Sequence, residues 1–433
     1  MKKSVQNRRA AITGIGIVSP IGNNVETFWP NLLAAKSGVD VISQFDASQF
    51  TCRIAAEVKN FKLPEKKFGK ILKYTVPFTQ FALAAAQEAF EDAGIFPTAS
   101  TASRWGAVAG SGMMTTEWDY WVRFQETFAN NPEGEIFFKD NADFFNVTDL
   151  GKTISNSGLA LLLQQFQIKG CATSVHTACA SGGQALGLGL EWIRRGEADY
   201  VLAGGFDSMI NPVGLSSFCL LGALSTYSDT PHTASRPFDY TRSGFVLGEG
   251  AAFMILEDLD KAKARGARIY AELAGEGNSL SSYRITDSHP SGDGAIQAIE
   301  GALKSGGLKP SDVDYINAHG TSTKMNDFSE TNAIKAVLGE RAKKIPVSST
   351  KSVVGHLIAA AGALEGAISA LAIYHGKVPM TANLTTPDPD CDLDYVTEGV
   401  RTQPVNVVLS NSFGFGGSNS CLLFKNPDYE GDN

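Results

Sequence analysis

"TSVHTACASGGQALGLGLEWIRRGEADYVLAGG", residues 173–205, decides how the chain is read. Cys179 stands at a strand-to-helix junction among small residues, the helical pattern ALGLGLEWIRRG follows, and the strand-like ADYVLAGG closes the unit. A helix between two strands is the repeating piece of α/β architecture. The junction also poses a chemical question. A structural thiol needs no such setting, whereas free amides at a helix N-terminus favour negative charge and lower a cysteine pKa. Small neighbours let a substrate carbonyl approach the sulfur, and the Cys179 amide can face a developing oxyanion. An inert buried thiol stays open as the alternative on these residues alone.

The same rhythm extends both ways. RAAITGIGIVSP reads as a strand, FTQFALAAAQEAFEDAG as a helix closed by Gly94, and WGAVAGSG as another strand. Further on come helix GAIQAIEGALKSGG, strand VDYINAHGTS, helix DFSETNAIKAVLG, strand KIPVSSTKS and an Ala-rich helix. GFVLGEGAAFMILE (244–257) and GFGGSNSCLLFK (414–425) are both Gly-rich turns before an apolar strand, which suggests an internal duplication. No low-complexity linker separates the parts, so one shared core is expected. The aromatic-rich segment 114–150 reads as an excursion that packs on a partner or covers a pocket.

With 433 residues, 43% of them hydrophobic and 19% charged, the chain has material for a large core, and a net charge of -8 argues against general nucleic-acid binding. Six scattered cysteines without a CxxC pair suit a reducing compartment, and the basic N-terminus lacks the apolar core of a secretory signal. A cytoplasmic enzyme is the expectation. GHLIAAAGALEGAISALAIYHG (355–376) has the length of a membrane span, but His356, Glu365 and its Ala/Gly content suit a buried helix better. TGIGIVSPIG invites a dinucleotide-binding reading, which fails because Ser19 stands where the third glycine belongs.

Beyond Cys179, four segments could carry chemistry. His319 sits where a strand breaks into a Gly-Thr-Ser-Thr loop, able to present a ring nitrogen or to be a satisfied core histidine. Thr321 and Thr323 can bond a polar substrate arm or merely the turn. Lys351 and His356 lie five residues apart at the start of the apolar helix, with Glu365 as a candidate partner for the lysine. A helix-start histidine is biased neutral, which suits an Nε2–H donor; a structural Lys–Glu pair is the plainer alternative. Gly414, Phe415, Gly416 and Gly417 make either a mobile loop with an apolar plug and free amides, or a simple turn. Together these residues match a nucleophile with electrophilic helpers and no metal.

Here the sequence resembles the β-ketoacyl-ACP synthases of the thiolase superfamily, specifically the synthase II type, and is similar to the ketosynthase subunit of type II polyketide synthases. The likeness spans about residues 8–425 and rests on TACASG, RPFDYTRSGFVLGEGA, NAHGTST, SSTKSVVGH and NSFGFGGSN in that order. It implies the thiolase-like five-layered αβαβα fold of two related halves, 1–260 with the nucleophile and 261–433 with the His/Lys/His set and gate loop. It implies decarboxylative condensation of malonyl-ACP with an acyl chain on Cys179, in fatty acid or polyketide assembly. His319 and His356 would hold the malonyl thioester oxygen, and Lys351 with Glu365 would set the electrostatics. The amides of Cys179 and Phe415 would form the oxyanion hole, with Phe415 also the gate. Thr321 and Thr323 would hold the phosphopantetheine arm, while Met113 and Phe218 would line the acyl pocket beside Gly414 and Gly416. No cofactor is implied beyond the carrier's phosphopantetheine, and the expected partners are acyl carrier protein and a second subunit, in a homodimer or with a homologous chain-length factor.

The sequence also departs from that pattern. Gly222 replaces the Arg usual at the carrier-docking position, leaving Lys66, Lys67, Lys70 and Lys73 as candidates or as a solvated face. Two competing readings are a non-catalytic chain-length partner, which typically lacks the cysteine, and a thiolase, whose late Gly-rich loop usually carries a second one; here that loop reads GFGGSN.

Overall fold

A computed structural model describes residues 8–112, 122, 125–126, 129, 148, 151–152 and 154–431. Met113 and most of the 114–150 excursion therefore lie outside the described residues. The large sheet takes five strands from the first half: β1 (Ala10–Val18), β2 (Trp105–Ser111), β3 (Ala172–Val175), β4 (Tyr200–Ser208) and β5 (Glu249–Asp258). Five come from the second: β6 (Ala271–Leu280), β7 (Tyr315–Asn317), β8 (Val347–Ser348), β9 (Val407–Phe413) and β10 (Ser418–Lys425). They form one sheet in the order β8-β7-β9-β10-β6-β1-β5-β4-β2-β3.

That order is the same pattern written twice. From each outer edge inward, the third, second, fourth, fifth and first strand of a half follow one another. In both halves the two outermost pairings are parallel and the inner ones antiparallel. The halves meet where Ala10–Ile12 of β1 pairs with Ala271–Leu273 of β6. The two Gly-rich turns that hinted at duplication lead into β5 and β10, which hold equivalent places.

Helix α1 (Pro77–Ala93) covers β1 and β5; α2 (Ser181–Arg194) and α5 (Ala361–His375) pack on each other and on strands of both halves; α3 (Asp293–Gly306) covers β6 and β10, with α4 (Lys324–Leu338) beside it. The result is an α/β fold with layers αβαβα. The central position of α5 explains its composition. It is apolar nearly all round because it is buried nearly all round, and although Ile358–His375 is apolar enough to cross a membrane, 89% of it is buried.

Local chemistry sets the element ends. Helix α1 starts with Pro77 in its first turn and stops at Gly94, whose φ of 64° is left-handed. The strand expected over 344–352 is cut to two residues. Ser349 donates to the Gly320 carbonyl at 2.7 Å, Thr381 accepts the Ser349 amide at 3.0 Å, and Ser352 donates back to the Ser349 carbonyl at 2.8 Å. These hydroxyls replace ladder bonds and turn the chain into the short helix Lys351–Val354. The strand expected over 313–322 likewise keeps only Tyr315–Asn317.

Gly14 and Gly16 of β1 serve packing. A Cβ on Gly14 would lie 2.1 Å from the Ala89 carbonyl oxygen, and one on Gly16 would lie 1.8 Å from that of Ala85, both on α1. Backbone meets backbone there, with no side chain to yield. Gly16→Ala is expected to lower stability by ~3 kcal/mol or more, read as a fall in the denaturant midpoint. An unchanged midpoint would contradict the close packing of α1 on β1.

Candidate active site

Two distant segments deliver Cys179 and its neighbour. After β3 the chain makes a tight turn, Ala178–Ala180, in which Ala178 is held at φ 50° and Cys179 is buried. After the short helix Lys351–Val354, Gly355 reverses the chain at φ 71°, and His356 follows beside Leu247. The Cys179 Sγ and His356 Nε2 are 3.1 Å apart. His319, at the end of β7, places its ring edge-on to that of His356 with centroids 5.4 Å apart. One ligating atom from each of Cys179, His319 and His356 lies within 4.8 Å of the others.

These residues line a cavity of ≈ 390 Å³ together with Thr321, Thr323, Gly414 and Phe415. Cys179 is only 3% exposed, so the cavity is its route to substrate. The hydroxyls of Thr321 and Thr323 bond each other at 2.9 Å on the cavity wall. The amides of Phe415 and Cys179 both act on the sulfur and favour its charged form. Phe218 sits behind Phe415, ring centroids 6.3 Å apart. Gly416, at φ 80°, donates its amide to the Ile285 carbonyl at 2.7 Å and so shapes the loop rather than the cavity wall. Gly222 lies on the cavity wall, flanked by Leu220, 89% exposed, and by exposed Leu221. Lys66, Lys67, Lys70 and Lys73 are exposed on residues 65–74, and Lys67 pairs with Glu91 at 2.6 Å.

Behind the cavity, Lys351 is 1% exposed and donates to the His319 carbonyl at 2.6 Å and to the Glu365 carboxylate. Burial pushes the Glu365 carboxyl up, while the lysine opposes that shift. Sequence reasoning missed Glu330. Its carboxylate on α4 accepts the His319 and Gly320 amides, each at 2.8 Å, and an amide hydrogen of Asn411 at 3.0 Å. The signal was available in the polar run DFSET of a helix that follows the NAHGTST motif, since a fully buried acid there must satisfy something nearby. Arg242 explains another motif. It pairs with Asp327 at 3.3 Å and Asp388 at 2.5 Å and bonds the carbonyls of Thr323 and Lys324, clamping the threonine loop.

The electrostatics correct two expectations. The helix N-terminus was expected to lower the Cys179 pKa, yet burial dominates and pushes the thiol up to about 11, with the Lys351 charge and the Phe415 amide pulling it back only in part. His356 was expected at the start of the apolar helix, but α5 begins only at Ala361. Its pKa falls well below the ordinary value through burial first and the Lys351 charge second, and that of His319 falls for the same reasons with His356 added. Both rings are therefore neutral near pH 7. The Ile358 amide donates to His356 Nδ1 at 3.2 Å, which leaves the proton on Nε2, facing the sulfur. A Cys/His/His trio has the chemistry of a zinc site, but here the Nε2 lone pair is taken by its proton and the Lys351 charge stands close by.

Lys351 lowers the pKa of Cys179, His319 and His356 alike. In Lys351→Met/Glu365→Gln, which removes the buried pair together, all three are expected to rise. At any pH below the thiol pKa the thiolate fraction then falls, so iodoacetamide alkylation of Cys179 slows and both imidazoles titrate at higher pH by NMR. Faster alkylation would contradict this account.

Comparison with known proteins agrees with the geometry. Residues 7–262 match the family described as beta-ketoacyl synthase, N-terminal domain, and residues 270–385 match its C-terminal domain. The chain is 42% identical to a 3-oxoacyl-[acyl-carrier-protein] synthase 2 of Coxiella burnetii, over 97% of this chain and 99% of the relative. It is 40% identical to the protein of the same name from Synechocystis, over 98% and 99%. Among solved structures, a type II polyketide ketosynthase in complex with its acyl-carrier protein superposes with TM-score 0.85 at 36% identity, covering 98% of this chain and 100% of that one. A beta-ketoacyl synthase from Burkholderia phymatum gives 0.87 at 32% identity, over 97% and 99%. The first part of the match spans the Cys179 turn and the second spans the histidine segments described above, and the chain belongs to the β-ketoacyl synthase family.

Proposed function

We propose that the chain is a β-ketoacyl-ACP synthase, an acyltransferase that condenses malonyl-ACP with an acyl chain held on Cys179. One observation carries the reading: a thiol 3.1 Å from a neutral imidazole Nε2–H, with a second neutral imidazole beside it, in one cavity of ≈ 390 Å³. In the first step, the sulfur attacks an acyl-carrier thioester and the carrier thiol leaves with the proton. Burial keeps that proton on sulfur at rest, and the His356 donor and the Phe415 amide stabilise sulfur as it becomes anionic. The tetrahedral oxyanion rests on the amides of Cys179 and Phe415.

In the second step, a malonyl thioester loses CO2, and the electron pair of the broken C–C bond becomes an enolate. Neutral imidazole N–H groups suit that oxygen because they donate hydrogen bonds without a strong driving force to give up the proton. The enolate carbon attacks the Cys179 thioester and expels the thiolate. Lys351 and Glu365 set the field, and Phe415 gates the entry of the two substrates. Thr321 and Thr323 bond the phosphopantetheine arm, so the reaction needs no separate cofactor.

Related solved structures support carrier and subunit partners: one ketosynthase was captured with its acyl-carrier protein and another with a chain-length factor. We place this chain as the catalytic member of such a pair or of a homodimer, in the cytoplasm, in fatty acid or type II polyketide assembly. A non-catalytic partner role is disfavoured by the assembled Cys179, His319 and His356, and a thiolase by the absence of cysteine from the GFGGSN loop.

Two outcomes test the reading. Incubation with an acyl-ACP, or with a cerulenin-type epoxide, should give one adduct by intact mass spectrometry, lost in Cys179→Ala; an adduct surviving that change removes the nucleophile assignment. His319→Ala should still be acylated but lose malonyl decarboxylation by roughly 100-fold or more. Equal loss of both steps would show that His319 acts elsewhere.

A further inference from the structure

A second buried carboxylate lies behind the nucleophile. Asp207, near the end of β4, is 2% exposed and faces Gly112, where a Cβ would come within 2.4 Å of its Oδ2. That oxygen accepts the Ala359 amide at 3.0 Å, and the Ser208 amide also acts on the carboxylate. Among the described residues no lysine or arginine neutralises it. Burial pushes its carboxyl up to about 7, so near neutral pH it is only partly ionised, and in either form it keeps an acceptor oxygen for the amide it touches.

What it touches is a strained turn. Ile358–Ala360 forms a tight turn between His356 and α5, and Ile358 has a φ of 46°. β-Branched residues avoid that region, and they remain in it only where the surroundings fix them there. Gly205 and Gly182 close on the Ala359 carbonyl oxygen, since a Cβ on either would lie 2.8 or 2.9 Å from it. Asp207 holds the amide of the same residue. In this conformation the Ile358 amide reaches His356 Nδ1, and Nε2–H faces Cys179.

We propose that Asp207 is a positioning residue: through the Ala359 amide it holds the strained Ile358 turn that fixes His356 as an Nε2–H donor to Cys179. When ionised it has a second effect, because it adds to burial in pushing the Cys179 thiol up while Lys351 pulls it down. Glu249, bonded to Ser208 Oγ at 2.7 Å, is the other acid at this corner. The proposal rests on the condensing-enzyme reading only where turnover is concerned.

Asp207→Asn keeps an oxygen for the Ala359 amide and removes the charge, whereas Asp207→Ala removes both. The imidazole ¹⁵N shifts of His356 report its tautomer without substrate, so this readout stands whether or not the protein condenses acyl groups. Asp207→Asn is expected to keep the Nε2–H form and, above the carboxyl pKa of about 7 where wild-type Asp207 is ionised, to react faster with iodoacetamide, about tenfold for each pKa unit the thiol loses. Asp207→Ala is expected to lose the tautomer preference. Where Ala does not fold, Asp207→Leu, which also lacks an acceptor, takes the same measurement. An unchanged His356 signature without the acceptor, or an alkylation rate no faster in Asp207→Asn, would overturn the proposal. Failure of the wild-type protein to accept an acyl group would instead overturn the functional reading and leave these two measurements standing.

Discussion

An ammonium group buried to 1% exposure ties the site together. Lys351 joins the carbonyl at the end of β7 to a carboxylate on the central helix, so three segments of the second half share one charge. Removing one partner of such a pair leaves an unpaired buried charge, which costs about 3–5 kcal/mol. Burial keeps both imidazoles neutral and the same charge adds to that effect, while it also draws the thiol pKa down. Structure and reactivity thus depend on a single interaction, and neither can change without the other.

The two reactive segments are delivered in the same way. Ala178 precedes the nucleophile at φ 50°, and Ile358 follows the histidine at φ 46°. Neither is glycine, so each stores strain that close packing must hold. The packing is supplied by glycines nearby. Gly182, Gly205 and Gly414 let backbones approach so that a Cβ on any of them would lie within 2.9 Å of a neighbouring backbone atom. Freedom at one set of positions therefore fixes its absence at another.

Much of this was legible from residue order. The alternation of strands and helices, the closure of α1 at Gly94, and the buried nature of the Ala-rich helix follow from periodicity, capping and composition, which act over a few residues. Cys179, His319, His356 and Phe415 stood out because each lies among small residues at the end of an element. Glu330 did not, because its task is to satisfy amides eleven residues back, across a turn whose shape the sequence does not state. The short strand at Val347–Ser348 was overestimated because the Thr381 hydroxyl and the segment's own serine hydroxyls take the bonds a ladder would use.

Sequence by itself determined the fold class, the duplicated plan and the cast of reactive residues, since these depend on local patterns and on motifs in fixed order. Tertiary structure decided their electrical state. A helix terminus argues for an acidic thiol, but desolvation scales with everything packed around the sulfur, and that burial pushes the thiol up to about 11. The tautomer of His356 was decided in the same way, by an amide two residues on whose direction exists only once the turn is packed against β4 and α2.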